Sequence, residues 1–333
     1  MPRRARISLG LLVVIHVFAL IAGFIAPYSF REQMRESPRA APSRLTLFDD
    51  EGSLALRPHV RVGEDQRSVP LRWFVRGSRY RLLASFSSDV HLFGVDPPHR
   101  VFLLGTDALG RDGFSRLVYG GQLSLLAGLF ATGIAVSIAL VTGTLAGYGG
   151  RWLDGAIVWA SDVFLSLPWL YILLAARAFL PLDMDPRAAF IAIVLLLGGL
   201  GWAGPMRIVR SSVRGVMERD HVMAARSAGA SHARVMWHHV LPQAVAPVAT
   251  QAALLAPAYM AAEVTLSFVG LGIREPVPSW GNLLAEAARA GIVSADLWLF
   301  APAFMLVLVT WLYHQTLAAE RWSFPCRAPT RDR

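Results

Sequence analysis

Leu123-Ser124-Leu125-Leu126-Ala127-Gly128-Leu129-Phe130-Ala131-Thr132-Gly133-Ile134, continuing Ala135-Val136-Ser137-Ile138-Ala139-Leu140-Val141-Thr142-Gly143-Thr144-Leu145-Ala146, holds no charged residue. A helix of about 20 apolar residues crosses the ~30 Å hydrocarbon core of a bilayer. This stretch is long enough to do so. Within it Ala131, Ala135, Ala139 and Gly143, and then Gly147, recur every fourth residue. That period puts small side chains on one helix face, where a second helix approaches closely. The pattern is a packing signal and carries no information about a solute.

Five further apolar blocks of similar length flank it, at roughly 7–26, 155–180, 188–203, 245–269 and 297–317. Apolar residues make up 54% of the 333 positions and charged residues 17%, well below the ~25% of a soluble chain. Six spans are therefore expected. The block from Ile7 is preceded by Arg3, Arg4 and Arg6. A cleaved signal peptide begins the same way, but the length of the apolar run and the spans behind it favour a retained helix. The arginines place the N-terminus in the cytoplasm, and six spans return the C-terminus there. Pro168 lies inside the third block and predicts a kink.

The formal net charge is +9, and all 32 basic residues are arginine. Without lysine there is no phosphate-loop lysine for ATP hydrolysis and no Schiff-base or lysine nucleophile. The arginines lie between apolar blocks rather than in one stripe, which argues against a nucleic-acid partner. Cys326 is the sole cysteine, so an internal disulfide and a cysteine-rich metal site are excluded. His-Glu-x-x-His and Gly-x-Ser-x-Gly are both absent, which speaks against a membrane-embedded hydrolase. No catalytic, cofactor-binding or metal-binding residue is expected. A receptor or regulator without transport activity is left open by these residues.

Two polar segments separate the spans. Residues 28–116 carry 14 arginines and 11 acidic residues. The positive-inside rule weakens for loops longer than about 60 residues, so the segment is expected outside, as a small extracytoplasmic insertion. Leu45, Leu47 and Leu54, Leu56 alternate around Asp49-Asp50-Glu51-Gly52 and read as a hairpin. Val60, Val62, Leu71 and Phe74 are candidates for further strands. Residues 207–243 hold six arginines against Glu218 and Asp220, which puts this stretch in the cytoplasm.

That cytoplasmic stretch contains Val222-Met223-Ala224-Ala225-Arg226-Ser227-Ala228-Gly229 and ends in Val240-Leu241-Pro242. Small alanines let a helix lie close to a partner surface, Gly229 permits a sharp turn, and Pro242 marks a boundary before the fifth span. An amphipathic surface helix with a glycine cap fits the same residues. The register resembles the signature loop of ABC importer permeases: paired alanines, a glycine four residues after the second, and Leu-Pro twelve and thirteen beyond it. Further matches are Gly105-Thr106-Asp107-Ala108-Leu109-Gly110-Arg111-Asp112 with Ser115-Arg116-Leu117-Val118-Tyr119-Gly120, Trp202-Ala203-Gly204, Leu266-Ser267-Phe268, and Pro278-Ser279-Trp280-Gly281. They are similar to segments of dipeptide, oligopeptide and nickel permeases. Met223 replaces the acidic residue of the signature loop, and Leu317 to Trp322 replaces the glycine- and aspartate-rich tail.

The resemblance implies an all-α integral membrane protein with the six-helix ABC importer permease fold. It divides into a tail and first helix (1–27), the insertion (28–116), a permease core (117–318) and a cytoplasmic tail (319–333). It also implies one half of a translocation pathway for peptides or related solutes, nickel chelates among the alternatives. ATP hydrolysis would reside in separate ATP-binding subunits, docked on Ala224, Ala225, Gly229, Leu241 and Pro242. A second homologous permease subunit, an extracytoplasmic solute-binding protein and membrane lipid complete the expected partners.

Asp162 and Glu263 fall inside spans, where a charge costs ~2.5–3.5 kcal/mol on insertion scales. Each reads as a pathway residue or as a polar contact between helices, the second being favoured for Asp162. Arg177 is expected to snorkel to the outer interface, and His16 to hydrogen-bond a neighbouring helix. Asp183 and Asp185 read as a solvated loop rather than a cation site.

Overall fold

The computed structural model of the chain describes residues 3–48, 54–62, 67–82, 86–179, 181, 184–289 and 297–321. The described residues are mostly helical. α1 (Arg3–Leu20) and α2 (Ala22–Ile25) come first, followed by strands β1 (Arg44–Phe48), β2 (Leu54–Val62), β3 (Arg67–Pro70), β4 (Arg72–Leu82) and β5 (Phe86–Gly94). The helices then run α3 (Gly113–Tyr148), α4 (Arg151–Ser166), α5 (Trp169–Ala178), α6 (Pro186–Leu200), α7 (Ala203–Met217), α8 (Asp220–Ser227) and α9 (His232–Val235). A π-turn, Met236–Val240, leads into α10 (Leu241–Phe268), and α11 (Trp280–Arg289) and α12 (Ala301–Arg321) complete the chain.

Three stretches among the described residues are long and apolar enough to cross a membrane: Gly113–Tyr148, His232–Phe268 and Leu297–Leu317. A fourth is gained if α6 and α7, bent by 44°, count as one broken span. α1 begins with three of the chain's arginines at positions 3, 4 and 6. Large apolar side chains lie open on these helices, among them Val13, Val17 and Phe18 on α1, Val141 on α3, Ile191 and Leu195 on α6, and Phe304 and Val307 on α12. Apolar surface on that scale marks contact with lipid or another protein.

The chain divides into two compact units. One comprises Met1–Leu9, Ala127–Glu263 and Thr310–Arg333; the other comprises Gly10–Leu126 and Val264–Val309. In the first, the small-residue face of α3 is a packing face. Ala131, Ala135 and Ala139 are wholly buried. A Cβ on Gly143 would stand 2.6 Å from Val209 Cβ, and one on Gly147 would stand 2.7 Å from Val213 Cβ. Both valines belong to α7, so only glycine fits at this crossing.

The third apolar block departs from expectation. It is interrupted rather than kinked, α4 ending at Ser166 and α5 starting at Trp169. Leu167 adopts extended angles, φ −83° and ψ 136°, because the ring of Pro168 disfavours the helical region for the residue before it. The fourth block bends at Gly201, and Pro205, four residues on, has no N–H to return to its carbonyl. The side chain of Arg177 and the backbone of Asp183 lie outside what is described. Asp185 caps α6, its carboxylate accepting from the Arg187 N–H at 3.0 Å. His16 bonds within its own helix, its ring Nδ1 lying 2.8 Å from the Leu12 carbonyl.

In the second unit the expected hairpin strands are present. β1 and β2 pair antiparallel with Leu45 opposite Val60, and β3 extends the sheet in the order β1-β2-β3. The turn residues 49–53 lie outside the described set. β4 and β5 form a separate two-stranded sheet. Val60, Leu71, Phe93, Val95 and Val101 make an apolar core beneath these strands. His91 ties it to the end of α2, its ring nitrogens lying 2.5 Å from the Ala26 carbonyl and 2.9 Å from that of Ser78.

Candidate functional site

The polar stretch 207–243 is almost wholly helical, and its apolar residues explain how it is held. On α7, Met206, Val209, Val213 and Val216 recur at helical spacing and are buried. The three valines continue into a cluster with Val222, Val235, Val240 and Val248. α8 contributes one buried residue, Val222. Its remaining surface is open: Met223, Ala224, Arg226, Ser227 and Ala228 are exposed and Ala225 is half-buried. A short helix anchored by one valine presents its other faces outward.

The turn after α8 follows from Gly229. Its φ is +82°, in the region that costs L-residues roughly 1–2 kcal/mol. The Gly229 N–H donates to the Arg226 carbonyl at 2.9 Å and that of Ala230 to the Ala225 carbonyl at 3.0 Å, the paired bonds of a Schellman motif. Ser231 then caps α9, its hydroxyl accepting from the Arg234 N–H at 3.4 Å. Pro242 does not end a helix here. The backbone runs on from α9 through the π-turn, in which the Leu241 N–H donates to the Met236 carbonyl. The widened turn sits where the proline ring would otherwise crowd the carbonyl of His238. Leu241 is half-buried and Pro242 exposed.

Polar contacts fix this stretch to its neighbours in the same unit. The end of α3 meets both short helices: the Tyr148 hydroxyl pairs with His232 Nδ1, and the Arg226 guanidinium lies 5.5 Å from the centre of the Tyr148 ring. Asp154 on α4 accepts from Arg210 at 2.8 Å and also from Arg214. Asp162 pairs with Arg207, whose Nε also donates to the Ser161 hydroxyl at 3.2 Å. Glu263, on α10, is fully buried. It is not part of this loop. Among the described residues no three His, Cys, Asp or Glu side chains come together as a metal site.

A second motif becomes chemically readable in the other unit. Asp107, Arg111 and Arg116 are buried together, at 4%, 4% and 1% exposure. Arg111 donates to Asp107 at 2.6 Å and holds Glu275 bidentately at 2.8 and 3.2 Å. Arg116 donates to Glu275 at 2.9 Å, to Glu286 at 2.7 Å and to Asp107. Glu286 belongs to α11, a helix between the fifth and sixth apolar blocks. Its spacing was visible: Trp280, Leu283, Leu284 and Ala287 follow a helical period. The start of α11 is fixed reciprocally, the Ser279 N–H donating to Asn282 Oδ1 at 2.9 Å and the Asn282 N–H to the Ser279 hydroxyl at 3.3 Å.

Asp112 caps α3, its Oδ2 accepting from the Ser115 N–H at 2.8 Å and from the Ser115 hydroxyl at 2.7 Å. Burial pushes its carboxyl from 3.8 up to about 7, against the opposing pull of the Ser115 bonds. A carboxyl raised in the folded state favours folding below its unfolded pKa, and that contribution is lost as pH rises toward the folded one. Thermal midpoints in detergent are therefore expected to fall between pH 4 and 7 and then level. In Asp112→Asn this slope should flatten. An identical slope in both proteins would remove Asp112 as its source.

Apolar spanning helices joined by a basic helical loop define a multi-pass membrane protein. Residues 139–314 match the family described as binding-protein-dependent transport system inner membrane component. The chain belongs to that family. It is 36% identical to the oligopeptide transport system permease protein OppC of Mycobacterium tuberculosis, over 80% of this chain and 91% of that protein. It is 37% identical to the dipeptide transport system permease protein DppC of Alkalihalophilus pseudofirmus, over 62% of this chain and 65% of the relative. The chain thus spans just under two thirds of that dipeptide permease. It is also similar to a solved structure of the MetNI methionine ABC transporter in an inward-facing conformation, at 17% identity and a TM-score of 0.49, over 62% of this chain and 94% of that one.

Proposed function

We propose that this permease subunit forms half of the translocation pathway of an ABC importer for di- or oligopeptides. A second homologous subunit supplies the other half, an extracytoplasmic binding protein delivers the solute, and a partner ATPase drives the cycle. The observation that carries the coupling role is the exposed face of α8, bearing Met223, Ala224 and Arg226 beside Gly229. It is firmly seated through Val222 and tied to α3 through Tyr148, so a push on α8 is passed to a membrane-crossing helix. The peptide assignment is supported by the two kinds of relative, a dipeptide and an oligopeptide permease.

The membrane arrangement follows. Six spans are α1–α2, α3, α4–α5, α6 with the first residues of α7 up to about 206, α10 and α12; 28–116 lies outside, 207–243 inside, and both termini are cytoplasmic. Asp162, paired with Arg207, is a contact between helices, and Glu263 is a charge held among protein atoms, away from lipid. Two measurements test the proposal together. A reporter fused after Arg226 should read cytoplasmic, and cells lacking this chain should lose uptake of a labelled tripeptide while keeping uptake of its free amino acids. An outside signal at Arg226 would overturn the topology, and unchanged tripeptide uptake would overturn the solute.

A further inference from the structure

The β1–β2 register contains an arrangement that costs stability. Arg44 stands directly opposite Arg61, and like charges opposite one another on an antiparallel pair repel. Among the described residues neither guanidinium has a carboxylate partner, and neither does that of Arg35. All three open into one cavity of about 890 Å³, together with Arg100 and His99. The acidic side chain in its lining is Glu36. Arg100 is already satisfied, pairing with Glu32 at 2.6 Å and lying over the Tyr28 ring. Three cations thus share a concave surface with one carboxylate, and an incoming anionic group relieves their repulsion.

The strand that carries Arg44 narrows the choice of ligand. β1 is an edge of its sheet, and an edge strand is a template for an added extended segment. Arg44 lines the cavity, while its neighbour Leu45 alternates to the other face and is 54% exposed, and Leu47, where the register turns irregular, lies outside the cavity lining and is 56% exposed. A small anion would meet the arginines and leave both leucines in water. An extended chain with acidic residues on one face and apolar residues on the other meets both.

We propose that this cavity and the β1 edge dock an extended acidic polypeptide segment of another protein, its carboxylates paired with Arg35, Arg44 and Arg61. The inference stands apart from the identity of the transported solute. It is tested with the full-length chain in nanodiscs of neutral lipid and a fluorescent octapeptide alternating Glu and Val. Binding is expected, weakening as salt rises. It should weaken roughly tenfold further in Arg44→Gln/Arg61→Gln, whereas Arg79→Gln on β4 should leave it unchanged. The double variant should be at least as thermally stable as the parent, since a like-charge pair is removed. Three results would overturn the proposal: no peptide binding, equal binding by the double variant, or full displacement by millimolar inorganic phosphate, which would mark a small-anion site. Binding only to anionic-lipid nanodiscs, with no response to peptide, would assign the cavity to a membrane headgroup instead.

Discussion

Arg116→Met is expected to cost about 2–4 kcal/mol of stability, somewhat below the penalty for stripping a buried charge of every partner, because it removes one of two cations from a buried ionic network. Methionine keeps an unbranched apolar stem but not the guanidinium, so most of the loss is electrostatic. The tightest part of the network is the contact of Arg116 with Asp107, at 1% and 4% exposure. Glu275 and Glu286 are more open, at 39% and 20%, and solvent screens part of their share. Arg111 still holds Asp107 and Glu275 and lies 3.6 Å from Glu286, so it offsets part, though not all, of what Arg116 supplies. The measurement is denaturant or thermal unfolding of the purified chain in detergent. Combining Arg116→Met with Glu286→Gln should recover part of the loss, because the second change removes a stranded charge. A cost under about 1 kcal/mol for Arg116→Met would mean that water or rearrangement satisfies Asp107 and Glu286.

That network also marks how far sequence reading reaches. The run from Gly105 to Gly120 was recognisable as a motif, yet its chemistry was not legible. The partners of Arg116 lie 159 and 170 positions away, between the fifth and sixth apolar blocks. Local pattern cannot supply contacts of that separation. The small-residue face of α3 was legible, because period and side-chain size are local properties; that α7 fills it through Val209 and Val213 was not. Gly229 was legible for the same reason, since few residues tolerate the turn. The hairpin strands β1 and β2 followed from alternation. The cavity beside them was hidden, because nothing in the sequence set Arg44 opposite Arg61 until register was known. Pro168 and Pro242 show the opposite error. Each was expected to disturb a helix, but the outcome depended on context. Leu167 turned extended and ended its helix, whereas a π-turn let the backbone run through Pro242.

Gly229→Asp is expected to leave membrane insertion intact and to lower solute uptake more than tenfold, the loss arising at the ATPase interface. A Cβ on Gly229 would meet nothing within 4 Å, so there is room for a side chain. The intrinsic cost is the backbone angle, roughly 1–2 kcal/mol for φ near +82°. Two further effects are specific to aspartate. Its charge sits at the C-terminal end of α8, where the helix dipole disfavours an anion, and it enters the exposed face formed by Ala224, Ser227 and Ala228. Gly229→Asn separates these effects, because asparagine tolerates positive φ better and brings no charge. If the loop docks the ATPase, Asn should retain most uptake, while Asp should lose both uptake and co-purification of the ATPase. If Gly229 is only a helix cap on a free surface, both variants should keep normal association and transport. Equal uptake by Gly229→Asp and the parent, at equal membrane abundance, would remove the docking role from this turn and with it the assignment of Ala224 and Ala225 to the interface.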